Sequence, residues 1–165
     1  MTGFNTIWKS KAISINTKLA VLRACVASVL LCACETWTIR KQDVQRLLAC
    51  EIKWYRRIMN IRWQQRTSNE EIRLRLKINK DIMQTIIERK VNLFGHTCRM
   101  NDNRLIKTII FGMINEASKR GRPAREWLDD IRDWCNQDIH TLSQMAQDRT
   151  EWRETVNHAC DTNGH

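Results

Sequence analysis

Proline is almost missing from this sequence: Pro123 is the only one in 165 residues, and glycine occurs five times. A sheet of many short strands needs turns built from these residues, so their scarcity argues against an all-β fold and for an all-α one. Cys-x-x-Cys pairs are missing as well. The seven cysteines (Cys25, Cys32, Cys34, Cys50, Cys98, Cys135 and Cys160) are odd in number, and no signal-peptide pattern opens the chain. They read as reduced, mostly buried thiols of a cytoplasmic or nuclear protein that is not secreted. The longest apolar run, LAVLRACVASVLLCAC, is too short for a bilayer and carries Arg23, so no membrane segment is expected. No Gly-x-Ser-x-Gly and no phosphate-cradling glycine loop is present, and no histidine has an evident acid partner at short range. Enzymatic chemistry therefore has no local foothold, and no cofactor is implied.

Acidic residues are scarce everywhere but at one end. Residues 1–66 hold 12 Lys/Arg against 3 Asp/Glu, 67–125 hold 13 against 6, and 126–165 reverse to 3 against 9, for a net charge of +10. A basic body with an acidic end points to a polyanionic partner for the body.

Helical periodicity organises what is there. Asn16 or Thr17 caps a first helix that runs to about Cys34, apolar nearly all round and thus expected at the centre of a core. Thr38 opens a second, in which Val44, Leu48, Ile52, Tyr55 and Met59 make a core face and Arg46, Lys53, Arg56 and Arg57 fall elsewhere. Ser68 with Glu71 is a capping-box signature for a third. Ile82, Ile86, Leu93 and Phe94 continue on a helical period, with Gly95 as the expected C-cap. A short helix follows over Leu105 to Ile110. Trp127, Ile131 and Trp134 mark one face of a later helix with Pro123 in its first turn, and Asp148 with Glu151 caps another. The expectation is an all-α bundle of about six to seven helices, as one body or as two small subdomains joined by a basic linker. The segments are 1–66, a basic helical region; 67–115, a second helical region; 116–125, the basic linker; and 126–165, an acidic helical end.

Each chemical candidate has a plain competitor. WLDD looks like a polymerase carboxylate pair, but two-metal chemistry needs carboxylates from separate strands, whereas Asp129 and Asp130 lie inside a helical pattern. They are expected to be helical surface carboxylates near a helix N-terminus. The Arg-Gly-Arg-Pro of KRGRPAREWLDD resembles a hook for the A/T-rich minor groove; a basic linker touching phosphate without specificity is the simpler reading of Lys119, Arg120 and Arg122. His96-x-Cys98 is too sparse for a metal site. What remains is basic residues interleaved with aromatics. Lys53, Arg56, Arg57, Arg62 and Arg66 are placed on nucleic acid, while Trp54, Tyr55 and Trp63 could either stack on bases or sit in a core.

Six ordered stretches, LLCACETWTI, YRRIMNIRW, RTSNEEI, LFGHTCRM, KRGRPAREWLDDI and AQDRTEWRE, carry a family resemblance that runs from about Trp8 to Val156. Together they resemble the C-terminal part of the reverse transcriptases of jockey-like non-LTR retrotransposons. Those proteins carry LLYGCETWTL-, RRILGIRW-, RTSNEEI-, LFGHVLRM-, KRGRPRKRWLDDI- and AQDRxxWR-like stretches in the same order. The resemblance implies a thumb and post-thumb region that grips an RNA/DNA template-primer and packs beside the palm and fingers of a parent polymerase. The catalytic aspartates and the endonuclease would lie outside these residues, so no polymerase activity is implied for the chain itself. Cys32 and Ala33 stand where the family has Tyr-Gly, which puts any turn depending on that glycine in question. Ala124 and Glu126 replace basic residues at the linker-to-helix junction. Two other readings compete: a helical relic or protein-interaction module derived from the same region, and an A/T-rich DNA minor-groove binder acting through RGRP.

Overall fold

The computed structural model describes residues 4–111 and 125–163, apart from the side chain of Trp63. It is all-α, with no strand among the described residues. Among the described residues nine α-helices of five residues or more follow in order: α1 Asn5–Lys9, α2 Ile15–Val21, α3 Lys41–Ile58, α4 Asn69–Leu76, α5 Ile82–Cys98, α6 Leu105–Phe111, α7 Trp127–Cys135, α8 Ile139–Met145 and α9 Arg149–Thr162. The count exceeds the expected six to seven because α1 and α8 are too short to show a period in sequence. The chain divides into two compact units, Met1–Ala33 with Lys41–Met83, and Cys34–Arg40 with Gln84–His165. These bounds cut across the segments drawn from composition.

In the first unit, α3 packs against α1, α2 and α4. Ser14, not Asn16 or Thr17, caps α2, its hydroxyl accepting from the Thr17 N–H at 3.1 Å. Beyond Val21 the helix widens into a π-helical stretch, Leu22–Ala27, and closes with one α-turn, Ser28–Leu30. It is not central to a core. Leu19, Leu22 and Leu31 are buried, but Val29 is 74 % exposed, and Ala20, Ala24 and Cys25 also face outward. Small side chains carry little area, so an outward row of Ala and Cys forfeits little hydrophobic stabilisation although it reads as apolar.

Helix α3 starts at Lys41 rather than at Thr38 and buries Ile52, Trp54, Tyr55 and Ile58. Its end is a Schellman turn. The N–H of Ile61 donates to Arg56 O at 2.9 Å, the N–H of Asn60 donates to Arg57 O at 3.3 Å, and Asn60 takes φ 54°. Helix α4 ends in the same way, with Ile78 N–H donating to Arg73 O at 3.0 Å and Lys77 at φ 52°. Its start is the Ser68 cap read from sequence, whose hydroxyl accepts from Glu71 N–H at 3.1 Å. Ala33 also sits at a positive φ, 54°. The turn is therefore made, by alanine, at the place where the resembling family has glycine.

In the second unit, Gly95 is no C-cap. Helix α5 runs on to Cys98, and the glycine lies buried within it. A Cβ on Gly95 would fall 2.1 Å from Trp152 Nε1, so the missing side chain is what lets the indole of α9 lie flush on α5. Phe94 packs on Trp152 with ring centroids 5.6 Å apart and on Phe111 at 5.8 Å. Ile87, Val91, Ile131, Leu142 and Val156 complete this core. Helix α7 begins at Trp127 with Glu126 as N-cap in a reciprocal capping box with Asp129, so Pro123, outside the described residues, is not in its first turn. Asp138 caps α8, and Asp148 caps α9 by accepting from Thr150 and Glu151 N–H groups.

Candidate nucleic-acid interface

Of the basic residues singled out from sequence, Arg46, Lys53, Arg56, Arg57, Arg62 and Arg66 fall in the first unit, on α3 and the loop after it. Arg46, Lys53 and Arg57 are spaced i, i+7 and i+11, which places them along one side of the helix. All three are exposed, Arg46 within 3.6 Å of Asp43. Beyond the Schellman turn the chain makes a short 3-10 turn, Trp63–Gln65, pinned by Arg62 N–H donating to Gln65 Oε1 at 3.1 Å. Arg62 and Arg66 on either side are exposed, and Arg66 takes φ 47°. Lys53, Arg57, Arg62 and Arg66 have no ion-pair partner among the described residues. Four uncompensated cations within fourteen residues make this a site of positive potential.

Arg56 is different. It is half-buried, and its Nη2 donates to Thr67 O at 2.6 Å and to Asn69 Oδ1 at 3.3 Å. It straps the loop back onto α3, so its role is at least partly structural. Trp54 and Tyr55 are 6 % and 7 % exposed, which settles them as core residues and removes them as stacking platforms. The Tyr55 hydroxyl donates to Glu51 Oε1 at 3.0 Å, and Arg73 Nη2 donates to Glu51 Oε2 at 3.4 Å. Burial pushes the Glu51 carboxyl above the ordinary range; the Tyr55 hydroxyl pulls it down, Asp81 pushes it up and Arg73 pulls it down. Lys119, Arg120 and Arg122, and with them the RGRP hook, lie outside the described residues.

A cleft of about 250 Å³ opens beside this basic end of α3. One wall is α1, through Asn5, Trp8 and Lys9; the other is the last turn of α3, through Arg56 and Arg57, with Asn60 and Ile61 of the cap. Helix α1 is held in place by the buried Lys18, whose ammonium donates to Trp8 O at 2.9 Å. Asn5, Lys9 and Asn60 carry no sequence signal of binding. Asn5 and Lys9 are found only because a five-residue helix, invisible to periodicity, brings them beside Asn60 of the α3 cap.

The second unit holds the other charged cluster, and it corrects one expectation. Asp130 is not a surface carboxylate: it is fully buried, ion-paired with the equally buried Lys90, and it accepts from Arg125 Nε at 2.7 Å and from the N–H of Ile39 at 2.9 Å. Asp129, one position earlier, behaves as expected, accepting from Glu126 N–H at 2.8 Å at the helix start. The helical period turns successive residues by about 100°, so one aspartate of the pair points out and the other in. Lys90 also donates to Trp37 O at 2.7 Å and lies 4.7 Å from the Trp127 ring centroid and 5.4 Å from that of Trp134. Burial draws its ammonium below the ordinary lysine range; hydrogen bonding and charge from Asp130 oppose that. The cluster ties the 34–40 segment to α5 and α7, a task reinforced by Trp127 Nε1 donating to Glu35 O at 2.8 Å. With every oxygen of Asp130 engaged by a cation or a backbone N–H, WLDD is a packing motif.

No group of three His, Cys, Asp or Glu among the described residues is placed to hold a metal ion, and His96 is exposed while Cys98 is buried. All seven cysteines are free thiols; Cys34, Cys98 and Cys135 are buried. No described helix is long and apolar enough to cross a membrane. Compared with known proteins, the chain matches no family model, no curated protein and no solved structure.

Proposed function

We propose that this chain is the thumb and post-thumb part of a retrotransposon reverse transcriptase and that its first unit binds the backbone of template-primer nucleic acid. The family assignment rests on the six ordered sequence stretches. The observation that carries the binding reading is the set of exposed, uncompensated cations Lys53, Arg57, Arg62 and Arg66 on one helix and the loop that follows it. Such a set neutralises phosphates without reading bases. Affinity for an RNA/DNA hybrid is therefore steep in salt and nearly indifferent to sequence. Fluorescence anisotropy with a labelled hybrid across a salt series tests it. Each of the four changed to Ala lowers the slope of log K against log[salt] by about one. Binding that does not depend on salt, or none in dilute buffer, removes the proposal. No polymerase or nuclease activity is assigned to the chain itself; metal-dependent primer extension by the purified protein would overturn that.

A second reading, an interaction module or relic, is favoured by a separate observation: Leu105 and Ile109 on α6 are 73 % and 58 % exposed, with Ile106 beside them. Its sign is concentration-dependent self-association in sedimentation, and a monomer at all concentrations counts against it. The minor-groove reading through RGRP ranks third and requires an A/T preference lost in Arg122→Ala.

A further inference from the structure

The cleft between α1 and the end of α3 has a chemistry the salt-dependent surface does not need. Lys9, Arg56 and Arg57 line it, and no carboxylate does. Lys9 and Arg57 have no ion-pair partner among the described residues, and both bonds of Arg56 leave from Nη2, so its other guanidinium nitrogens carry none. Asn5 and Asn60 add neutral amide groups, and Ile61 an apolar one. Trp8, only 1 % exposed, forms part of the same wall.

These features match one kind of ligand. A phosphodiester along a strand brings a single negative charge to each contact, whereas a phosphate monoester carries about −1.5 to −2 at neutral pH and three strong acceptor oxygens. Three cations lining one concave site suit the dianion. The volume leaves room beyond a bare phosphate for part of the group it is attached to, against which Ile61 and the two asparagines can lie.

We infer that this cleft binds a phosphate monoester, the 5′-phosphorylated end of a strand or a free nucleoside 5′-monophosphate, with Lys9, Arg56 and Arg57 holding the dianion. Where the ligand is a strand end, the inference rests on the nucleic-acid reading above; for a free nucleotide it stands apart from it.

Equilibrium binding of four probes to the full chain decides the matter: one oligonucleotide with a 5′-phosphate, the same oligonucleotide with a 5′-hydroxyl, adenosine 5′-monophosphate, and adenosine. The 5′-phosphate strand binds about tenfold tighter than its 5′-hydroxyl twin, as expected for one set of charge-assisted bonds. The preference disappears in Lys9→Ala and in Arg57→Ala, both exposed positions, and survives in Arg62→Ala outside the cleft. Equal binding of the two strands, with neither mononucleotide nor nucleoside bound, overturns the inference and leaves the nucleic-acid reading standing. Binding of the monophosphate but not of adenosine, lost in Lys9→Ala, sustains the inference with a free nucleotide as ligand even where neither strand binds and the nucleic-acid reading fails. A preference that persists in Lys9→Ala and Arg57→Ala places the phosphate elsewhere and refutes the assignment.

Discussion

Gly95→Ala is the substitution that most sharply tests how the second unit is packed. Two effects oppose each other. Within a helix, exchanging glycine for alanine stabilises by about 1 kcal/mol through backbone entropy alone. Against that, the added Cβ would lie 2.1, 2.5 and 2.6 Å from Nε1, Cε2 and Cδ1 of Trp152. Ordinary contact is about 3.5–4.0 Å, so the indole must retreat by more than about 1 Å. It has little freedom to do so, since Trp152 is 2 % exposed and stacked beside Phe94. Overpacking of this kind costs about 3 kcal/mol or more, at the upper end of measured cases, because a rigid ring rather than a flexible chain end must give way. The net expectation is a loss of about 2 kcal/mol, read as a fall of roughly 4–8 °C in Tm for a chain of this size. Thermal and urea unfolding followed by circular dichroism measure it. The decisive control is the same change in a Trp152→Leu background, where the obstacle is gone and alanine is neutral or stabilising. If Gly95→Ala stabilises the otherwise unchanged protein, the close approach of α9 to α5 is wrong.

The remaining expectations follow from single positions. Ala33→Gly and Lys77→Gly each relieve a left-handed residue at φ 54° and 52° and raise stability by about 1 kcal/mol, checked by urea titration; a loss at either site contradicts the turn drawn there. Asp130→Ala strands the buried Lys90 ammonium and the Ile39 N–H and costs about 3–5 kcal/mol, whereas Lys90→Met leaves Asp130 with Arg125 and Ile39 and costs less; the reverse order in chemical unfolding would contradict the cluster. Glu51 titrates above its ordinary range of about 4.3 because burial disfavours its charge. The folded state then holds its proton to higher pH than the unfolded state, so Glu51 contributes most below the ordinary value and that contribution falls as pH rises toward the raised one. Stability of the parent relative to Glu51→Gln should fall as pH rises above about 4, and a difference that is flat or rises with pH would count against it.

The pattern of what could and could not be read from the chain has a physical cause. Two caps were legible because they are local: Ser68 and Asp148 were each marked by a glutamate three residues on, and each accepts from that glutamate's N–H here. The stripe of α3 was legible because eighteen residues give the period time to show. Gly95 was misread because a glycine at the edge of an apolar run has two uses, ending a helix or admitting a neighbour, and only the position of Trp152, fifty-seven residues away, chooses between them. Asp130 was misread for a related reason, its partners Ile39 and Lys90 being remote in sequence.

The acidic C-terminal end shows the same logic at the scale of a whole segment. Read as charge, 3 basic against 9 acidic residues looks like a field opposed to the basic body. Most of those acids have local work instead. Glu126, Asp138 and Asp148 are N-caps, Asp129 closes a capping box, Asp130 is the buried hub and Asp133 accepts from Arg125 Nη2 at 2.7 Å. Three short helices in thirty-six residues need three N-termini satisfied, and carboxylates supply both the acceptor and the charge that a helix start favours. Some basic residues of the first unit have such an account, Lys18 and Arg56 among them, but four do not: Lys53, Arg57, Arg62 and Arg66 cap nothing and pair with nothing described. That asymmetry, acids consumed by the fold and cations left over by it, is a stronger argument for an anionic partner than the net charge.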